Sequence, residues 1–182
     1  MNQSAMIQIN NNRKDIIDEA YEFISSLKQK VFIIGTNKYG VSLRQFLEDK
    51  GIIVMGFIND YSKDSRFDGC PIFDSSGCFS EDAIINCSVS CQVTNVNKLI
   101  NKIQPHCSIE YLKLQLAFPE SLPAIDYISE PENILNRMGE YSKIYEMLED
   151  KQSKLEFESV INFKINQDPS YLKSFEFRID EQ

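Results

Sequence analysis

No stretch of this chain approaches the roughly 20 apolar residues a membrane-spanning helix needs, so no span is expected. Its five cysteines, Cys70, Cys78, Cys87, Cys91 and Cys107, include no C-x-x-C pair, and His106 is the single histidine. Zinc sites usually draw on two close pairs of such ligands, so no metal centre is expected. Cysteines of this kind read as reduced core filling, with redox sensing by Cys87 and Cys91 as the lesser alternative. No tyrosine has a lysine four residues on, which weighs against a small NAD(P)-dependent oxidoreductase. No basic residue precedes Arg13, and Met1-Asn2-Gln3-Ser4 is polar. That argues against a cleaved signal peptide and makes the cytoplasm the expected location.

What is present is an ordinary globular composition, 42% apolar over 182 residues, enough for one domain and an appended element. The charge is lopsided. Residues 1–118 carry 13 acidic and 12 basic side chains, whereas residues 119–182 carry 14 and 7, so nearly all of the net −8 lies in the second part. An acidic tail repels phosphate backbones, which disfavours nucleic acid as a partner.

Residues 13–29 place Ile16, Ile17, Ala20, Phe23, Ile24 and Leu27 on one stripe, an amphipathic helix that Asn11 or Asn12 can cap. Val31–Ile34 is a short β-branched run ending at Gly35. Val41, Leu43, Phe46 and Leu47 then give a helical stripe closed by Gly51, and Ile52–Ile58 is a second apolar run. Strand, turn, helix and strand within about 30 residues make one βαβ unit. Residues 61–70 read as a loop, and Cys70–Phe73 as a short edge segment because of Pro71. Ala83–Val89 reads as a third strand, Val93–Ile103 as a helix and Ser108–Leu116 as a fourth strand. The alternation predicts an α/β fold, a Rossmann-like parallel sheet with flanking helices, over residues 1–118.

Residues 119–182 show almost no strand pattern and are expected to form an all-helical extension. Ser129 and Glu132 make a capping box. Tyr141, Ile144, Tyr145 and Leu148 form one stripe, and Asp150 or Ser153 restarts a helix carrying Phe157, Val160, Ile161 and Ile165. Asp168-Pro169 is a cap followed by a proline at the first helical position. Apolar stripes must be buried somewhere, so this tail is expected to meet a catalytic domain or to self-associate around Tyr141–Leu148 and Phe157–Ile165.

The segment VFIIGTNKYG carries the clearest functional pattern. Glycine lets a chain turn sharply out of a strand so that the next helix aims its N–H groups at a phosphate. Gly35 and Gly40 match the outer glycines of a dinucleotide fingerprint, with Asn37 at the middle one. The candidate site is therefore Gly35, Thr36, Asn37, Lys38, Tyr39 and Gly40, with Asp60 placed to meet ribose hydroxyls and Asn86 and Ser88 at the end of the third strand. A side chain at Gly40 is expected to collide with a ligand. The loop has two readings: a cradle for a nucleotide or nucleotide-sugar, or a turn that only joins strand to helix. Position 33, two before Gly35, is isoleucine where an S-adenosylmethionine site usually has an acid, so the methyl donor is not favoured here. His106 lies in a turn away from the loop, with no serine or carboxylate evidently paired to it, and reads as a surface residue.

Two stretches resemble a known family. VFIIGTNKYGVSLRQFLEDKGIIVMGFIND, followed by DGCPIFD, resembles the Rossmann-like N-terminal regions of FkbM-type methyltransferases and of sugar acyltransferases. YSKIYEMLEDKQSKLEFESVINFKINQDPSYLKSF resembles the helical segment before the catalytic core of FkbM-type methyltransferases, with Asp150 and Ser153 matching a "DxxS" step and Tyr171-Leu172 a "YL" turn. The donor motif of that core is absent from these residues, so no catalytic residue is carried over, and S-adenosylmethionine belongs to a core expected beyond Gln182. The resemblance implies a non-catalytic accessory domain from glycan or small-molecule methylation. The alternatives are the oxidoreductase above and a ligand-free protein-interaction module.

Overall fold

The computed structural model describes residues 7–10, 12–28, 30–77, 79–87, 93–126 and 131–172. The chain begins with α1 (Arg13–Ser26), β1 (Val31–Ile34), α2 (Lys38–Asp49) and β2 (Val54–Ile58). A short antiparallel excursion follows, β3 (Arg66–Phe67) and β4 (Cys70–Phe73), then β5 (Ala83–Asn86), α3 (Val93–Ile103) and β6 (Cys107–Glu110). The sheet has six strands in the order β3-β4-β2-β1-β5-β6, with only the β3–β4 pairing antiparallel. This is the expected Rossmann-like α/β sheet.

β1 and β5 are buried at every position, as a strand covered on both faces must be. Val31, Ile33, Ala83 and Ile85 face one core with Leu43, Phe46 and Leu47 of α2 and Ala20 of α1. Phe32, Ile34 and Ile84 face the other, with Leu99, Ile100 and Ile103 of α3. α2 ends as the sequence predicts: Gly51 adopts φ +76°, its N–H bonds the Glu48 carbonyl, and the Ile52 N–H bonds the Leu47 carbonyl.

Three elements differ from expectation. The expected loop 61–70 contains β3, which sits outside β4, so Pro71 lies one strand in from the edge. The expected strand over 108–116 is a strand only to Glu110; Tyr111–Ala117 is a helix, α4. Among the described residues β5 is the only neighbour of β6, and it is four residues long. Among the described residues no strand pairs with the chain beyond Glu110, so it satisfies its own groups as helix. After Ile109 the segment has no β-branched residue, and leucine, lysine, glutamine and alanine favour helix. Asn12 stands at the start of α1 but makes no side-chain cap; its side-chain oxygen accepts the Tyr171 hydroxyl instead, and Asn11 lies outside the described residues.

The C-terminal region is helical: α5 (Pro131–Asn136), α6 (Met138–Met147), α7 (Lys151–Asn166) and a 3-10 turn at Pro169–Leu172. Asp150 caps α7 by accepting the Ser153 N–H at 2.7 Å, and the Asp168 carboxylate accepts the Ser170 N–H. Ser129 lies outside the described residues. Tyr145, Ile161 and Ile165 are buried against Ile134 and Ile7. Part of the stripes expected to seek a partner finds cover within the chain, where Ile7 packs against α7. Ile144, Met147 and Leu155 stay exposed. No helix among the described residues is long and apolar enough to cross a membrane.

Candidate functional site

β1 delivers the chain to Gly35 at the carboxyl end of the sheet, beside the exit of β5. Gly35 has φ +113°, and a Cβ there would stand 2.8 Å from the Cys87 carbonyl oxygen. Glycine is required by the close approach of the two strand exits. Asn37 then does two things. Its Oδ1 accepts the N–H groups of Tyr39 and Gly40, both at 3.0 Å, and caps α2. Its Nδ2 donates to the Cys87 carbonyl at 2.9 Å, tying the β1 exit to the β5 exit. This bridge spans the point where strand order reverses, the crevice in which open α/β sheets bind ligands.

Gly40 is explained by the same packing. A Cβ there would lie 2.5 Å from the Gly35 carbonyl oxygen and 3.1 Å from the Phe57 ring. The expected collision is therefore with the protein's own backbone, on which the first turn of α2 is seated. The donors that a phosphate would use at a helix N-terminus include the two held by Asn37.

The remaining described candidates are also held by internal bonds. Thr36 Oγ1 accepts from Asn59 Nδ2 at 2.7 Å. The Tyr39 ring is buried, 5.7 Å from Tyr111, and its hydroxyl accepts the Asp126 N–H. Lys38 and Asp126 pair at 2.5 Å on the exposed rim. Their hydrogen bond holds the lysine above and the carboxylate below its ordinary range. Asp60 spends both oxygens on Ser75, one on its N–H and one on its hydroxyl, each at 2.6 Å. Lys102 donates to that hydroxyl from the other side, also at 2.6 Å. Asn86 ends β5, buried, and donates to Glu110 at the end of β6. Ser88 lies outside the described residues.

The structure therefore brings together Gly35, Asn37, Gly40 and the β5 exit, with Thr36, Lys38 and Tyr39 on their flanks. Asp60 is turned to the β4–β5 connection. Sequence reasoning missed Asn59, Glu110 and Asp126, whose only signal was position: each follows or ends a strand or closes a loop that returns to the same edge. His106 is exposed just before β6, at the opposite end of the sheet from the loop, with its N–H on the Asp82 carbonyl.

Cys87 is buried, and burial, with the nearby Glu110 charge, pushes its thiol far above its usual range. A thiol so held is not an attacking thiolate, in keeping with core filling; Cys78 and Cys91 lie outside the described residues. Among the described residues no cluster of histidine, cysteine, aspartate or glutamate could hold a metal ion. A groove of about 640 Å³ opens on the outer face of α2, between Val41, Gln45 and Lys50 and the loop residues Ser121 and Pro123. None of the candidates from the sequence lines it.

No family model matches the chain, and no curated protein matches it. Among solved structures it is similar to methyltransferase FkbM from Methylobacillus flagellatus KT, with a TM-score of 0.49 and 17% identity. The match covers 91% of this chain and 45% of that one, so the chain spans less than half the length of that protein.

Proposed function

We propose that this chain is a non-catalytic Rossmann-like accessory domain of a methyltransferase system, and that its glycine loop is a structural closure. The observation that carries the second part is Asn37. Its side chain occupies the Tyr39 and Gly40 N–H groups and spans the crevice to the Cys87 carbonyl, so these two donors are satisfied without a ligand. The methyltransferase context rests on the two stretches of sequence quoted above. A catalytic core of the FkbM type is the partner it implies, and S-adenosylmethionine belongs to that core.

A second reading, binding of a nucleotide or nucleotide-sugar, is favoured by the loop's position at the reversal of strand order. It requires an anionic group to displace Asn37 Oδ1 from the two N–H groups. Thermal unfolding with millimolar NAD, a UDP-sugar and S-adenosylmethionine separates the two, because a ligand bound only to the native state adds about 2.7 kcal/mol at a hundredfold excess over Kd. The closure reading expects no shift with any of them. A shift that disappears in Gly40→Val, with the variant still folded, would establish the cradle. The accessory role is checked by adding the chain to an FkbM-type core and measuring methyl transfer. An unchanged rate and no co-elution would remove that role.

A further inference from the structure

A second cavity, of about 230 Å³, lies where the sheet body meets the helical tail, apart from the glycine loop and from the groove on α2. Its walls come from the start of α1, from α4 and the loop after it, from α5 and from the end of α7.

The wall residue from α7 is Gln167. It is the left-handed residue that ends the helix, with φ +54° and its N–H on the Phe163 carbonyl at 2.7 Å. Glycine is the usual residue at such a helix end. Here the position carries an amide side chain instead, in a residue only 8% exposed. Its Oε1 is the one buried side-chain nitrogen or oxygen among the described residues with no hydrogen-bond partner. A buried acceptor left unpaired is costly. The last torsion of a glutamine is broad, so the amide can turn its oxygen to the cavity without movement of the backbone.

Much of the remaining wall is apolar. Leu112, Leu116 and Ile125 are buried. Leu116 packs in none of the apolar clusters of the described residues and lines the cavity instead. The charged wall residues are Arg13 and Glu132, and they pair with each other at 3.0 Å, so the cavity offers no net charge. A dry cavity of roughly 150 Å³ holds a benzene ring, and sites for drug-sized ligands start at roughly 300 Å³. The volume here suits one compact ring system.

We propose that this cavity binds a compact neutral molecule, a ring system with one N–H or O–H that donates to Gln167 Oε1 while the ring lies on Leu112, Leu116 and Ile125. The site is independent of the glycine loop and of any methyltransferase partner.

The test uses the full chain with indole and 1-methylindole, and with phenol and anisole. Each pair shares a ring and differs in the donor. The chain has no tryptophan, so indole is read by its own fluorescence, and the methyl NMR signals of leucine and isoleucine locate it. Indole should bind at least about tenfold tighter than 1-methylindole, as pairing a buried acceptor implies. Phenol should be preferred over anisole in the same way, with shifts centred on Leu112, Leu116 and Ile125. Gln167→Gly, which suits the left-handed position and should keep the fold, should abolish both preferences. Leu116→Phe, which fills the cavity, should weaken both indoles alike. No saturable binding of indole or phenol would overturn the proposal. So would equal binding within each pair, shifts centred on Val41 and Phe46 of the groove, or a preference that survives in Gln167→Gly.

Discussion

The sheet body and the helical tail bury their interiors by different chemistry. In the body, β1 and β5 as far as Ile85 are apolar on both faces, and the side chains under α2 are aliphatic and aromatic. In the tail a small apolar cluster around Tyr145, Ile161 and Ile165 is continued by buried Asn162, Asn166, Gln167 and Asp168. Apolar burial is non-directional and tolerant of slippage, whereas buried amides are stable only in the geometry that pairs them. The body therefore folds around area, and the tail around amides bonded to the backbone of Gln8, Asn10 and Asn12. Its stripes alone did not show what covers them.

The largest expected effect breaks the body at its tightest contact. Gly40→Val forces a side chain against the Gly35 carbonyl and should destabilise the chain by about 3 kcal/mol. Denaturant midpoints check this, and an unchanged midpoint would mean that α2 is not seated on that carbonyl. The matching test in the tail is Asn166→Ala, which removes one bond each to the Asn10 carbonyl and the Asn12 N–H. It should cost about 2 kcal/mol by leaving buried groups unpaired. Hydrogen exchange localises it: the Asn12 amide should lose protection while the amides of β1 and β5 keep theirs. Equal loss in both regions would mean that body and tail unfold together.

Asn37→Ala probes the closure and should cost about 1 kcal/mol, the worth of a helix cap. If the loss greatly exceeds this, the bridge to Cys87 holds the sheet edge as well as the helix. The two regions then differ in sign at glycine. A Cβ at Gly139, inside α6, meets nothing within 4 Å. Gly139→Ala should therefore stabilise the tail by about 0.5–1 kcal/mol, read as a rise in melting temperature. The smallest effect lies on the rim. Asp126 is held ionised below the usual carboxylate range by Lys38, so its contribution is complete above that range and is lost as pH falls through the lowered value. Both side chains are exposed, so stability should hardly change. An NMR titration of Asp126 should move up toward the ordinary carboxylate range in Lys38→Met.

Much of the body was legible because its signals are local. The apolar runs at 31–34 and 83–89, of which the second is strand only to Asn86, the stripe from Val41 to Leu47 and the Gly51 terminator each act within one element. The 111–117 segment was not legible, because its alternation of leucine with lysine and glutamine suits either state and the length of β5 decides between them. At the site, Gly35, Asn37 and Gly40 were found from spacing, since a turn out of a strand needs those residue types. Their partners were not, because the Cys87 carbonyl and the Phe57 ring arrive from other strands. Asp60 had the right sequence distance for a ribose contact, yet its oxygens are drawn off by Ser75.

By itself the sequence determined the order and kind of most elements, the glycine turn and the acidic helical tail, because periodicity, capping and turn chemistry act over a few residues. Only the tertiary structure decided that Gly40 answers to Gly35, that Asn37 bonds the Cys87 carbonyl, and that Asn162 and Asn166 hold Gln8, Asn10 and Asn12. Those contacts join residues that are neighbours only once the strands are ordered and the chain's start has returned to α7, and no local pattern encodes which distant backbone will arrive.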